Sequence, residues 1–353
     1  MTTAPLPLLF DLEPDDLPSE EGRAYRRRQL AGWLYRRGAR TFDRMTDLPK
    51  DWRASLAGAF AIDPFAETAR FPSQDGSVRY LFTLRDGRRT EAVYMPYENR
   101  RTVCVSSMVG CPAGCTFCAT GALGFGRNLS RGEIVGQLLA VAWHEAIPPE
   151  WIRNVVLMGM GEALLNYAEA VAAVRRMIDP RALGLSARRI TLSTVGLPAK
   201  IERLAEEGLP LTLAVSLHAP DEETRRTIIP TAHAHGIDEI VRALHVWQAR
   251  TSRRVSIEYT MLAGVNDRGW QADALAARLR GLTAHVNLIP FNAWDGSGHR
   301  GSSRAAIEAF RGRLEAAGAS VSVRFSRGQD AGGACGQLSL QDAGAATAGS
   351  PVA

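Results

Sequence analysis

The sequence predicts an α/β fold: a partial (β/α)6 barrel preceded by a small N-terminal helical accessory domain and a connecting β-hairpin. Three observations predict it. From about residue 100 onward, short apolar runs alternate with longer amphipathic stretches, which calls for a parallel sheet with crossover helices. The repeating part covers about 235 residues, short of the roughly 250 of a closed eight-fold barrel, so an open barrel fits better. Ahead of it, Asp86-Gly87 separates two strand-like runs, which signals a hairpin.

The elements follow in order. Residues 1–22, acidic and carrying Pro5, Pro7, Pro14 and Pro18, read as a flexible leader. Residues 23–75 form the helical accessory domain. Its first helix starts at Ser19 with Glu20 and Glu21 in the first turn and buries Leu30, Trp33 and Leu34; a second spans 48–61. Residues 76–99 are the hairpin connector, with strands over 80–84 and 91–96 and Glu91 at the start of the second. Residues 100–340 form the barrel. Its strands are predicted at 102–108, 153–158, 188–194, 211–217, 254–261 and 284–290, with a further one near 319–325. Helices are predicted at 132–145, 167–178, 198–207, 237–250, 269–280 and 303–317. Residues 341–353 contain too little apolar surface to pack and read as a disordered tail.

Composition narrows the class. A hydrophobic fraction of 46% against 22% charged residues is that of a globular protein with a substantial core. No apolar run approaches the roughly 20 residues a membrane helix needs, and the N-terminus lacks the pattern of a signal peptide. Five cysteines, three of them clustered, favour metal and redox chemistry in a reducing cytoplasm over a disulfide scaffold. Charge is uneven: residues 1–22 carry six acids and no base, whereas 23–50 carry nine bases against Asp43 and Asp47. Such a basic block either grips a phosphate backbone or is a solvated helix face.

The chemistry concentrates in CPAGCTFC, where Cys111, Cys115 and Cys118 fall within eight residues. Zinc and cubane iron–sulfur sites ordinarily take four protein ligands, and no fourth lies nearby. Three thiolates leave one metal position open, where a ligand can bind. A degenerate zinc loop is the alternative. At successive strand ends stand Gly161 and Glu162, then Ser193, then Ser216, Leu217 and His218, then Asn292. Two cysteines remain: Cys104 on the first barrel strand, and Cys335 in a glycine-rich loop after the last, where it could swing to a reaction centre.

The CxxxCxxC spacing with Phe117 before the last cysteine is the signature of the radical SAM superfamily. Between about Arg23 and Leu338 the chain further resembles the RlmN family of adenine methyltransferases, sister to Cfr. The resemblance rests on QLAGWLYRRGARTFDRMTDLPK, CPAGCTFCATGALGFGRNLSRGEIV, LMGMGE, STVG, SLHAP, NLIPFN and ACGQL. It implies a radical SAM barrel and one 4Fe-4S cluster per chain on Cys111, Cys115 and Cys118. It also implies S-adenosylmethionine, two per turnover, bound by Phe117, Gly161, Glu162, Ser193, Ser216, Leu217, His218 and Asn292. In the implied cycle Cys335 is methylated, its methyl loses hydrogen to a 5′-deoxyadenosyl radical, and the carbon adds to adenine. Cys104 then resolves the covalent RNA adduct and Glu91 accepts a proton. Five cysteines thus divide into three for the cluster and two for the cycle.

The implied substrate is carbon 2 of an adenine in 23S rRNA at the peptidyl-transferase centre, and of an adenine beside the anticodon in some tRNAs. The basic 23–50 unit would grip the RNA. An electron donor such as flavodoxin or ferredoxin, a cytoplasmic setting without a membrane, and a monomer complete the expectation. Ala163 stands where RlmN proteins usually have proline, and TAHAHGID after Pro230 also departs from their pattern, so a Cfr-like attack on carbon 8 is the alternative. A glycyl-radical activase and a non-catalytic zinc RNA-binding protein are the other readings.

Overall fold

The apolar runs after residue 100 become parallel strands because Val, Ile and Leu suit a sheet covered on both faces. The computed structural model describes residues 5–20 and 23–340. Its strands are β1 (Phe65–Pro72), β2 (Val78–Leu84), β3 (Arg89–Tyr97), β4 (Arg100–Cys104), β5 (Met108–Gly110) and β6 (Phe125–Asn128). These are followed by β7 (Ile152–Leu157), β8 (Ile190–Thr194), β9 (Thr212–Ser216), β10 (Val255–Met261), β11 (Ala284–Pro290) and β12 (Ser320–Val323). Ten form one sheet in the order β1–β2–β3–β4–β7–β8–β9–β10–β11–β12, and β5 pairs with β6 apart from it. From β4 through β12 every neighbour in that sheet is parallel.

Helices Arg131–His144, Tyr167–Ile178, Pro198–Glu206, Ile237–Thr251, Gly269–Arg278 and Arg304–Ala316 cross between the parallel strands, as expected. The first shows how the sequence sets a boundary. Ser130 Oγ accepts from the Glu133 N–H (3.1 Å) while Glu133 accepts from the Ser130 N–H (2.9 Å), a reciprocal cap. Behind it Ile134, Val135, Leu138 and Leu139 are wholly buried, each contributing about 1.5–3 kcal/mol.

The hairpin turns at Asp86-Gly87, where Gly87 takes a left-handed φ of 82°. It is not a free connector: β3 pairs antiparallel with β4, extending the barrel sheet. β1 pairs antiparallel with β2, so the 23–75 unit is not purely helical as expected.

Three further expectations are corrected. The leader is packed: Leu9, Phe10 and Leu17 are fully buried, and the Leu9 N–H donates to Ala61 (2.9 Å). Its acids have partners. Asp11 accepts from the Gly132 N–H (2.9 Å) at the first turn of helix 131–144, and Glu13 pairs with Arg131 and Arg176. The first helix starts later than Ser19, at Tyr25, and runs through a π turn at Gly32–Arg36. The strand expected over 102–108 breaks after Cys104, because Ser106 leaves the ladder to bond Gln137 and the Glu91 carbonyl. The 341–353 tail lies outside the described residues.

Candidate active site

The cysteine loop is closed at its base by β5 and β6. A Cβ on Gly110, at φ +70°, would sit 2.0 Å from the Gly124 carbonyl oxygen, so only glycine fits there. The Cys111 N–H donates to that same oxygen at 2.8 Å. The loop thereby presents Cys111, Cys115 and Cys118 to one cleft at the C-terminal ends of the strands.

Burial pushes the Cys111 thiol up to about 12 and raises Cys115 and Cys118 as well. For Cys115 the neighbouring Cys118 and Cys111 add to the rise. Three crowded thiolates need positive charge among them, which a metal cluster supplies. Among the described residues no three His, Cys, Asp or Glu side chains are gathered for a single metal ion. A cubane places its ligands on separate irons and so spreads them wider, and the donor set fits it.

The opposite wall carries the expected strand-end residues. Gly161 (φ +104°) leaves no room for a side chain against Met108. Glu162 is buried, accepting from the Leu164 N–H (3.0 Å) and the Val195 N–H (2.7 Å); burial raises its carboxyl. Ser193, Ser216, Phe117 and Asn292 line the cleft too. His218, at a left-handed φ of 57°, accepts the Thr260 N–H on Nδ1 at 2.9 Å. Its proton therefore sits on Nε2. Burial, with Arg225 nearby, holds its pKa down at about 3, so the imidazole is neutral. Phe117 meets it edge-on at 4.7 Å.

A second cavity adjoins the first. Cys335, Cys118, Arg324 and Met158 line both, while Cys104 lines the second only. The Cys335 loop is pinned in this conformation. Asn292 Nδ2 donates to the Cys335 carbonyl (3.0 Å), the Ala119 N–H to Gly336 (2.7 Å), and Thr120 to Leu338 (2.7 Å).

Two expected residues are not at a cavity wall. Leu217 lies 1% exposed in the core, with its N–H donating to the Glu258 carbonyl (3.2 Å). Side chains alternate along a strand, so Ser216 facing the cleft turns its neighbour away. Glu91 is fully buried, ion-paired to Arg79 and accepting the Leu340 N–H (3.1 Å), behind the Cys335 loop. Cys104 lies nearby, opposite Val93, two residues along β3.

Sequence reasoning missed Arg324 and Glu258. Arg324 directly follows β12, where the strand-end rule would have found it. Its guanidinium lies 4.0 Å from Glu258 and, with Cys335, lines both cavities. Glu258 sits mid-strand, level with Ser216, and carried no such signal. The basic block is largely spent internally: Arg27 bonds Leu17, Arg36 bonds Pro180, and Arg37 and Arg40 pair with Asp47 and Asp63. Among the described residues, Arg28, Arg44 and Lys50 form no ion pair, which leaves them to solvent or a ligand.

Comparisons with known proteins bear directly on this site. Residues 105–276 match the model of the radical SAM superfamily, and 17–62 that of a ribosomal RNA large subunit methyltransferase N-terminal domain. The chain is 60% identical, over 94% of its length and 93% of the relative's, to the "probable dual-specificity RNA methyltransferase RlmN" of Thermus thermophilus. A protein of the same description from Deinococcus deserti is 58% identical over 96% of this chain and 98% of its own. A crystal structure of a radical SAM methyltransferase from Sphaerobacter thermophilus superposes with a TM-score of 0.90, at 41% identity, covering 96% of this chain and all of that one.

Proposed function

Because the chain belongs to the RlmN family of radical SAM, dual-specificity RNA methyltransferases, we propose that it methylates carbon 2 of an adenine in 23S rRNA, and of an adenine beside the anticodon in some tRNAs. RNA is the substrate, and a 4Fe-4S cluster with S-adenosylmethionine is the cofactor set. When bound, the two supply the 5′-deoxyadenosyl radical that unactivated carbon chemistry requires. An external donor of the flavodoxin or ferredoxin kind would provide the electrons.

The chain's own residues take the remaining roles. Cys111, Cys115 and Cys118 would hold the cluster, leaving one iron open for the cofactor's amino and carboxylate groups. Glu162, with Ser193, Ser216 and the Nε2–H of His218, would orient the cofactor, and Phe117 would close its face. The Cys335 thiol would take a methyl group, lose one hydrogen atom from it to the 5′-deoxyadenosyl radical, and carry the carbon onto adenine. Loss of the adduct's unpaired electron, returned to the redox centre that supplied one, and of the ring-carbon proton leaves a thioether bridge. The Cys104 sulfur then attacks the Cys335 sulfur. The sulfur–carbon bond breaks, its electron pair stays with the carbon on the base, which takes up a proton to become the methyl group, and a Cys104–Cys335 disulfide remains to be reduced. Glu91 would accept the proton lost from the ring carbon. For that, the Leu340 segment it holds must swing away.

The single observation that carries this reading is that Cys104 and Cys335 line one cavity, and that Cys335 also lines the adjoining cysteine-loop cleft. A glycyl-radical activase needs neither cysteine, and a zinc RNA-binding protein needs no second chamber. Mass spectrometry of RNA methylated in vitro by reconstituted enzyme tests it: 2-methyladenosine is expected. Finding 8-methyladenosine instead would assign the Cfr-like reaction, and unmodified RNA from fully reconstituted enzyme would overturn the reading.

A further inference from the structure

Two chambers meet at Cys335, and their walls differ in kind. The first holds the cluster cysteines and the polar strand ends. The second is walled by Val93, Met95, Met158 and Leu338, with Tyr97 and Phe325 beside its arginines. Apolar and aromatic walls with a few cationic groups suit a planar base more than a sulfonium.

The aromatic groups are not equivalent. The Tyr97 ring is already covered: the Arg100 guanidinium lies 4.4 Å from its centroid and that of Arg327 lies 4.8 Å from it. Phe325 is 71% exposed, the most of any large hydrophobic residue among the described ones. It belongs to no aromatic pair there and lines the cavity together with Arg324 and Arg327. Leaving such a ring in water is costly unless something covers it, and a base released from its own stack has the same deficit.

We propose that the second chamber receives the extruded adenine and that Phe325 supplies the ring on which this base, or the one beside it, stacks. Arg324 stands at the partition between the chambers, where its N–H groups face a ring nitrogen of the base. The Arg100 guanidinium at the Tyr97 ring lies beside the adjoining phosphate, while Arg327, held by Pro96 and Asp75, keeps the ring in place. This arrangement puts the base between Cys335, which delivers the carbon, and Cys104, which releases it. The inference rests on the methyltransferase reading above and adds to it a substrate subsite.

The test separates the chambers. Wild type, Phe325→Ala and Phe325→Trp are reconstituted anaerobically with cluster and S-adenosylmethionine. Methylation of Cys335 is read by peptide mass, and methylation of an RNA hairpin by steady-state kinetics. Phe325→Ala should methylate Cys335 like wild type yet show a KM for RNA raised about 5- to 150-fold, the range expected for one lost stacking contact. Phe325→Trp should restore KM to near the wild-type value. An unchanged KM in Phe325→Ala would overturn the proposal, as would loss of Cys335 methylation to the same degree as RNA methylation. If wild type itself methylates neither Cys335 nor RNA, the functional reading fails instead of the subsite.

Discussion

Arg79 and Glu91 form an ion pair shut away from solvent, at 7% and 0% side-chain exposure, on adjacent strands of the hairpin. Burial pushes the Glu91 carboxyl up, and Arg79 pulls it back. Arg79 also donates through Nε to the Ala331 carbonyl (2.6 Å), and Glu91 accepts from Leu340 (3.1 Å). One pair thus holds both ends of the segment that contains Cys335. Arg79→Met leaves a buried carboxylate without its counter-charge and should cost about 3–5 kcal/mol. Arg79→Met combined with Glu91→Gln should recover much of that loss, because the uncompensated charge is gone. Urea unfolding of the two variants checks this; equal midpoints would mean the charge is compensated elsewhere.

Asn292 holds the middle of the same segment. Its Nδ2 donates to Ser326 Oγ (2.9 Å) and to the Cys335 carbonyl (3.0 Å), and its Oδ1 accepts from Gln329 (2.8 Å). Each bond is worth about 1 kcal/mol net, so losing all three in Asn292→Ala should raise local opening about 100-fold without unfolding the barrel. Hydrogen exchange of the amides of residues 333–337 reads this opening. Unchanged exchange would assign the hold to Ala119 and Thr120 alone.

The five cysteines should separate by phenotype. Alanine at Cys111, Cys115 or Cys118 removes a cluster ligand, so anaerobically reconstituted protein should lose its iron and its brown colour. Cys104→Ala should keep both and accumulate protein crosslinked to RNA through Cys335, visible as a slow band on denaturing gels. Burial, with Cys335 adding to it, pushes the Cys104 thiol up to about 12. It should therefore resist iodoacetamide at pH 8 while folded and react once denatured. Rapid alkylation of folded Cys104 would show that its environment is not the dry one described.

Much of this arrangement was legible in the residues. The apolar period gave helix 167–178 at its observed bounds and put the barrel strands within two residues of theirs, apart from the break after Cys104. β1 was missed because it is mostly exposed, with little apolar contrast between its faces. The leader was misread because its acids and prolines outweighed Leu8, Leu9 and Phe10, whose burial depends on partners far along the chain. At the site, the rule that functional groups gather at strand C-termini located Glu162, Ser193, Ser216, His218 and Asn292. It does not distinguish Leu217, whose side chain strand alternation turns into the core, and it gives no signal for Glu258, whose place at the cleft depends on register with β9 and β11. Register is a long-range property that a local motif does not carry.

His218 offers a test of the cleft that needs neither cluster nor RNA. Its pKa in the folded protein is held at about 3 against an ordinary 6.5, because burial penalises the charged ring and Arg225 repels it. The folded state therefore refuses a proton that the unfolded chain accepts. That difference contributes nothing to the pH dependence above 6.5. Below 6.5 it lowers stability by about 1.4 kcal/mol per pH unit until the folded pKa is reached. His218→Gln keeps an acceptor for the Thr260 N–H but takes up no proton. Relative to the variant, wild type should lose about 2–3 kcal/mol between pH 7 and pH 4.5 in denaturant unfolding. The subtraction removes every group common to both proteins. Parallel curves would mean that the imidazole titrates normally and that the burial described for His218 does not persist in solution.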